Sequence, residues 1–248
     1  MSLATISDIH IHDKGDAGWK AFHSFAENPH VKAATHIALL GDIFDLMAGD
    51  HPEYLIRHSE VFKVVQAWCE NGKTVFYAEG NHDMHLSALF RRLTKQWSAA
   101  AAARLVIMQR DRLIEVDGVQ IQIGHGDRYN QEDTGYIKYM NFITANPLSY
   151  VANFVMPYGV LKFLGEKASK KSRKYGHSKF DQEKVRQTFR KGVEELTPKE
   201  ARIVIGGHSH VTDEYQWDNR VYLNNGYPPA SGKFVLVDAT GAKLASLQ

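Results

Sequence analysis

The chain has 248 residues, 44% hydrophobic and 23% charged, the balance of an ordinary globular protein with enough length to bury one sizeable core or two modest ones. That balance excludes a disordered chain, a collagen and a disulfide scaffold, and the single cysteine, Cys69, falls in the apolar helical pattern of Val61, Val64, Val65 and Trp68. A net charge of only +2 gives the whole chain no strong field for nucleic acid, so no nucleic-acid partner is expected. No apolar run reaches about 18 residues and residues 1–8 read as a strand rather than a leader, so a cytoplasmic protein is expected.

Period-2 or continuous apolar runs mark eight strands, Leu3 to Ser7, His36 to Gly41, Thr74 to Glu79, Leu113 to Val116, Val119 to Gly124, Arg202 to Gly207, Val221 to Asn225 and Phe234 to Asp238. Between the early ones lie helical patterns, Tyr54 to Asn71 closed by Gly72, and His85 to Arg104. The later strands follow one another through short turns such as Asp117-Gly118, which predicts hairpin pairing within a mixed sheet or a pair of sheets, with helices outside. Residues 136–189 break this rhythm with a helical tract interrupted by Pro147 and Pro157, first aromatic and then basic. It reads as a helical cap inserted within a single domain, 1–248. From Lys162 to Lys179 seven Lys or Arg face one acid, Glu166, more positive charge than the whole chain carries net.

Thirteen histidines are present, and several sit in short strings with Asp, Asn and Gly at strand ends. The strings are Asp8-Ile9-His10, Gly41-Asp42, Gly80-Asn81-His82-Asp83, Gly124-His125-Gly126-Asp127 and Gly207-His208-Ser209-His210. In extended chain, residues i and i+2 face one side, so Asp8 with His10, and His208 with His210, aim two donors at one place. Carboxylates, imidazoles and an amide oxygen make a mixed N/O set suited to a pair of divalent ions such as Mn, Fe or Zn, with no thiolate among them. His12, two residues past His10, is placed outside the ligand set.

In order and type, these five blocks resemble the calcineurin-like metallophosphoesterases. The resemblance implies an α/β fold, a β-sandwich flanked by helices in four α-β-β-α layers, with the helical cap inserted. It implies one metal held by Asp8, His10 and His210, a second by Asn81, His125 and His208, and Asp42 bridging both. His82 would act as catalytic acid, oriented by Asp83, and two divalent ions, Mn2+ before Fe2+ or Zn2+, would activate a bridging hydroxide for attack on phosphorus.

The string Glu132-Asp133-Thr134-Gly135-Tyr136 after His125, with Gly41-Asp42-Ile43-Phe44-Asp45 and the helical tract, is similar to the UDP-2,3-diacylglucosamine hydrolases of lipid A synthesis. That resemblance implies Asp133 and Tyr136 against the glucosamine, and Ser172 and Lys179 on the cap side of the sugar phosphate. Many of those enzymes carry Arg where His82 stands. The expected partner is a small amphiphilic nucleotide-lipid, its acyl chains against Phe142, Val151, Phe154 and their neighbours, and the basic stretch against an anionic membrane surface. The alternatives left open are another phosphodiester, as for a nuclease or cyclic nucleotide phosphodiesterase, a phosphoprotein, and a scaffold without catalysis.

Overall fold

In the computed structural model, residues 1–145, 157–160 and 181–248 are described. The eight anticipated strands form as β1 (Leu3–Ile6), β2 (His36–Leu40), β4 (Thr74–Ala78), β7 (Arg112–Val116), β8 (Val119–Ile123), β9 (Ile203–Gly206), β11 (Arg220–Asn225) and β12 (Lys233–Asp238). Five more join them: β3 (Met47–Ala48), β5 (Asp83–Met84), β6 (Leu105–Met108), β10 (Thr212–Trp217) and β13 (Gly241–Ser246). β10 and β13 lie at sheet edges and expose alternate residues, so their apolar signal is too sparse to read from the pattern.

One sheet runs β13-β12-β1-β2-β4-β6 and the other β10-β11-β9-β8-β7. β1, β2, β4 and β6 are parallel, as are β8, β9 and β11, while antiparallel strands add β12 and β13 to one margin of the first sheet and β7 and β10 to the two margins of the second. The alternation along each strand produces the layering. Leu3, Ala38, Leu40, Phe76 and Ala78 point from the first sheet into a core shared with Ile121, Ile123, Ile203, Ile205 and Leu223 of the second. Their chain neighbours Ala4, Ile6, Ile37, Leu39, Val75 and Tyr77 face the opposite way, into a larger core with Phe22, Phe25, Val65 and Trp68. Those last side chains come from α1 (Ala17–Glu27) and α4 (Ser59–Glu70), and each fully buried large apolar side chain contributes roughly 1.5–3 kcal/mol. Cys69 is 1% exposed in this core. On the far face of the second sheet, Phe189 and Val193 of the helix Gln182–Leu196 pack on Val204, Tyr222 and Tyr129. Helix, sheet, sheet and helix therefore stack in four layers.

Two helical expectations are corrected. The single helix expected from Tyr54 to Asn71 is two, α3 (Pro52–Arg57) and α4, broken at His58 (φ −108°, ψ 24°), whose ring packs on Phe44 at 4.4 Å. The stretch from His85 to Arg104 likewise divides into α5 (Ser87–Thr94) and α6 (Ala99–Ala102), because the Ser98 side chain accepts the Ala101 N–H and starts a new helix. The Asp117-Gly118 hairpin forms as expected, with φ of 56° and 78° at its two turn residues.

Of the expected cap, the structure describes α7 (Thr134–Ala145), residues 157–160 and the helix from Gln182 onward, which continues past 189 to Leu196. Tyr158 packs edge-on against Tyr54 of α3 at 5.1 Å. Ser172, Lys179, Val151, Phe154 and the whole basic stretch from Lys162 to Lys179 lie outside the described residues. Among the described residues, no helix is long and apolar enough to cross a membrane.

Candidate metal centre

The reactive side chains hang from the C-terminal ends of parallel strands. Asp8 and His10 follow β1, Asp42 follows β2, Asn81 and His82 follow β4, His125 follows β8, and His208 and His210 follow β9. Five of these residues, Asp8, His10, Asp42, His208 and His210, have φ between 49° and 66°. Left-handed backbone at a residue with a Cβ costs on the order of 1 kcal/mol, and such strain gathers where a site is over-determined by its surroundings. Two glycines permit the close approach. A Cβ on Gly80 would overlap the Asp42 carboxylate, and one on Gly207 would overlap Asp8 and Ser7.

Hydrogen bonds across the sandwich fix these loops. The His208 N–H donates to both Asp8 oxygens (2.9 and 3.0 Å), and Asn225 Oδ1 accepts from the Ser7 N–H at 3.1 Å. Asp83 is fully buried and receives the Gly80 N–H (2.8 Å), the Asp42 N–H (3.0 Å), the Ile43 N–H (2.8 Å) and the Tyr77 hydroxyl (2.6 Å). The expectation that Asp83 orients His82 is corrected by this geometry, since among the described residues no hydrogen bond joins the two. All four donors reach Asp83 from the backbone and Tyr77, so it braces the Asp42 and Asn81 loops. His82 is held instead through Nδ1, 2.8 Å from the carbonyl oxygen of Asp45. A carbonyl only accepts, so Nδ1 carries the proton and Nε2 is free for chemistry. No sequence signal distinguished Tyr77 or Asn225, and the string that includes Asp45 did not show that its carbonyl holds His82; these roles arise from contacts across strands.

Two groups of side chains could each hold a cation, Asp8 with His10, Asp42 and His210, and Asp42 with His125 and His208, so Asp42 belongs to both. Asn81 completes the second, its Oδ1 lying 3.1 Å from His125 Nε2 and 3.0 Å from His208 Nδ1. The donor set fits a metal for a specific reason. His125 donates Nδ1–H to the Leu40 carbonyl at 3.0 Å, which leaves a lone pair on Nε2 aimed at another lone pair, on Asn81 Oδ1. Only a proton or a cation reconciles them. His10 and His210 likewise bring their Nε2 atoms within 3.1 Å. A third grouping, His10, Asp45 and His82, adjoins the first, and His12 lies beside it with Nδ1 3.3 Å from Asp45.

The protonation pattern shows the same demand for positive charge. Burial opposes charge on His125, yet the Asp42 and Asp8 carboxylates lift it to about 9. Burial alone dominates at His10 and His208, which fall to about 4. Burial would raise Asp42, but the surrounding imidazoles of His125, His82 and His10 hold it well below the usual carboxylate range. Burial, with the Asp42 charge added, pushes Asp83 up to about 6.

On the rim, the Tyr136 ring lies 5.0 Å from that of His208 and Phe189 6.2 Å, so the two aromatics flank one imidazole. The Tyr136 hydroxyl is buried and has no hydrogen-bond partner among the described residues. Asp133 is exposed and accepts the Tyr136 N–H at 2.9 Å, so it caps α7 and sets where Tyr136 begins.

A family model described as calcineurin-like phosphoesterase matches residues 1–212, and the chain belongs to that family. It is a metal-dependent phosphoester hydrolase. Two similar proteins are described as UDP-2,3-diacylglucosamine hydrolases. One, from Aromatoleum aromaticum, is 28% identical over 143 residues, 58% of this chain and 54% of that protein. The other, from Ectopseudomonas mendocina, is 25% identical over 208 residues, 84% of this chain and 81% of that protein. A solved structure described as a novel archaeal phosphodiesterase aligns over 99% of both chains at 12% identity, with a TM-score of 0.49.

Proposed function

We propose that the protein hydrolyses the diphosphate of UDP-2,3-diacylglucosamine to UMP and 2,3-diacylglucosamine 1-phosphate. The observation that carries the chemistry is the pair of donor groups sharing Asp42, with Asn81 closing the second. Asp8, His10, Asp42 and His210 would hold one divalent ion, and Asp42, Asn81, His125 and His208 the other, Mn2+ being the expected species. Bound there, the ions supply an activated water and charge stabilisation for displacement at phosphorus.

The remaining work belongs to the chain. His82 presents Nε2 to the departing oxygen and, when protonated there, hands it the proton. Asp83 keeps the Asp42 and Gly80 backbones in register, and the Tyr136 hydroxyl, lacking a protein partner, is available to a hydroxyl or amide of the sugar. Water adds across one P–O bond of the diphosphate, its oxygen joining the attacked phosphorus and a proton ending on the bridging oxygen that departs with the other phosphate. The two similar hydrolases support this substrate, as do the exposed Tyr139 and Phe142 on α7, which offer apolar surface to an acyl chain. Ser172, Lys179 and the basic stretch would meet the sugar phosphate and an anionic membrane surface on the cytoplasmic side.

The test is hydrolysis of UDP-2,3-diacylglucosamine beside UDP-N-acetylglucosamine and bis-p-nitrophenyl phosphate, with Mn2+ and with a chelator. Chelator-sensitive UMP release from the diacylated substrate alone is expected. Cleavage of the simple diester without that selectivity would discard the lipid and keep the metal chemistry.

A further inference from the structure

Beside the His125 half of the centre opens a cleft of about 370 Å3 whose wall includes His125, Gly80 and Tyr136. His125 joins it to the metal centre, and its lining includes two arginines from separate loops. Arg110 comes from the link between β6 and β7, and Arg128 from the turn after His125. Both are exposed, and among the described residues neither has a carboxylate within 4.0 Å. Gln109, Gln131 and Asn141 add amide groups to the lining.

The carboxylates there are largely committed. Glu79 accepts the His85 and Leu86 N–H groups at 3.0 and 2.7 Å, and Asp111 faces Arg128 and receives Gln122 at 3.4 Å. Asp127 also lines the cleft, beside Arg128 in the chain. Ala78, Met84, Ile137 and Met140 give the lining some apolar surface, but an alkyl chain filling the cleft would strip water from two guanidinium groups and three amides without replacing their hydrogen bonds. A phosphate with a polar body attached meets each of these needs, since guanidinium forks match phosphate oxygens in pairs and amides read polar edges.

We infer that this cleft binds the nucleoside 5′-phosphate half of the substrate, with Arg110 and Arg128 as its specificity residues. The inference rests on the diphosphate reading above and places the polar leaving half on the Asn81 and His125 side. The acylated half is then directed out of the cleft, toward the exposed Tyr139 and Phe142.

Calorimetry of UMP and of inorganic phosphate, titrated separately into the Mn2+-loaded full chain, tests it. UMP is expected to bind at least about tenfold more tightly than phosphate, and Arg110→Ala and Arg128→Ala each to erase most of that ratio. Arg110→Lys and Arg128→Lys, which keep charge but lose the fork, should restore it only in part. Arg112→Ala, which removes an exposed cation outside the cleft, should leave it intact. Equal affinity for UMP and phosphate in the parent protein, a ratio unmoved by both alanine variants, or an equal loss in Arg112→Ala would each overturn the assignment. Glucosamine 1-phosphate binding more tightly than UMP with the same arginine dependence would overturn the nucleoside and install the sugar. Failure of the diphosphate reading has another signature, no UMP release from UDP-2,3-diacylglucosamine, and leaves the UMP to phosphate ratio as it was.

Discussion

The two halves of the metal centre use the same residue types in opposite surroundings. His125 and Asp42 are each 2% exposed at the side chain and His208 beside them lies against Tyr136, whereas His210 is 43% exposed and stacks on Tyr227. Among their ligands only His210 is exposed, so the half that holds it is the one open to solvent at a single corner, while Asp8 beside it is fully buried and Asp42 is common to both. The difference shows that residue type alone does not set a ligand's environment. His125 is lifted to about 9 because carboxylates crowd it, while His58, buried against Phe44 away from the centre, drops to about 3 because desolvation goes unanswered.

The harshest way to break the comparison is Asp42→Ala, which removes the group both halves share. Loss of kcat/KM by about 10³-fold or more, equivalent to about 4 kcal/mol, is expected together with loss of both ions by elemental analysis. A variant retaining a tenth of the activity would mean the halves do not depend on each other. His125→Ala and His210→Ala separate them. Each should shed one ion per chain, and the ion remaining in His210→Ala, in the enclosed half, should leave more slowly to a chelator than the one remaining in His125→Ala. Equal release rates would erase the distinction drawn from burial.

Asp83→Asn keeps the shape but sets an amide against donors that need an acceptor, and should cost about 2–3 kcal/mol of stability in urea unfolding. If Asp83 served only to orient His82, activity would fall and stability would not.

His58 gives a pH test outside the centre. Its folded value of about 3 lies below the ordinary 6.5, so the unfolded chain takes the proton first and stability drains as pH falls below 6.5. Against His58→Gln, the parent protein should lose up to about 1.4 kcal/mol per pH unit between about pH 6 and pH 4, with no difference in slope above pH 7.5. Parallel curves across that range would show that the ring is not buried as the fold places it. The smallest effect belongs to Asp133→Ala, about 1 kcal/mol from the lost cap, read with a rise in KM as Tyr136 shifts.

Much of this was legible in the sequence because strand alternation and strand-end strings are local. The runs at Leu3, His36, Thr74 and Ile203 mark their strands directly, and Asp8, Asp42, His125 and His208 are visible as donors beside glycines. The chain break at His58 was not legible, since a ring seating itself on Phe44 is a contact between distant segments. Nor was the partner of His82, because the Asp45 carbonyl is backbone and carries no residue signature.

The sequence by itself determined the strands with helices outside and the donor types, since these are written in periodicity and spacing along the chain, while the four layers and the metal-dependent class came with the resemblance of its five strand-end strings to the calcineurin-like metallophosphoesterases. Only the tertiary structure decided that Asp83 braces two loops rather than one imidazole, that one half of the centre is enclosed, and that two arginines stand beside it. These depend on which strand ends meet at the edge of the sandwich, and hydrogen bonds across that edge join residues up to 218 positions apart.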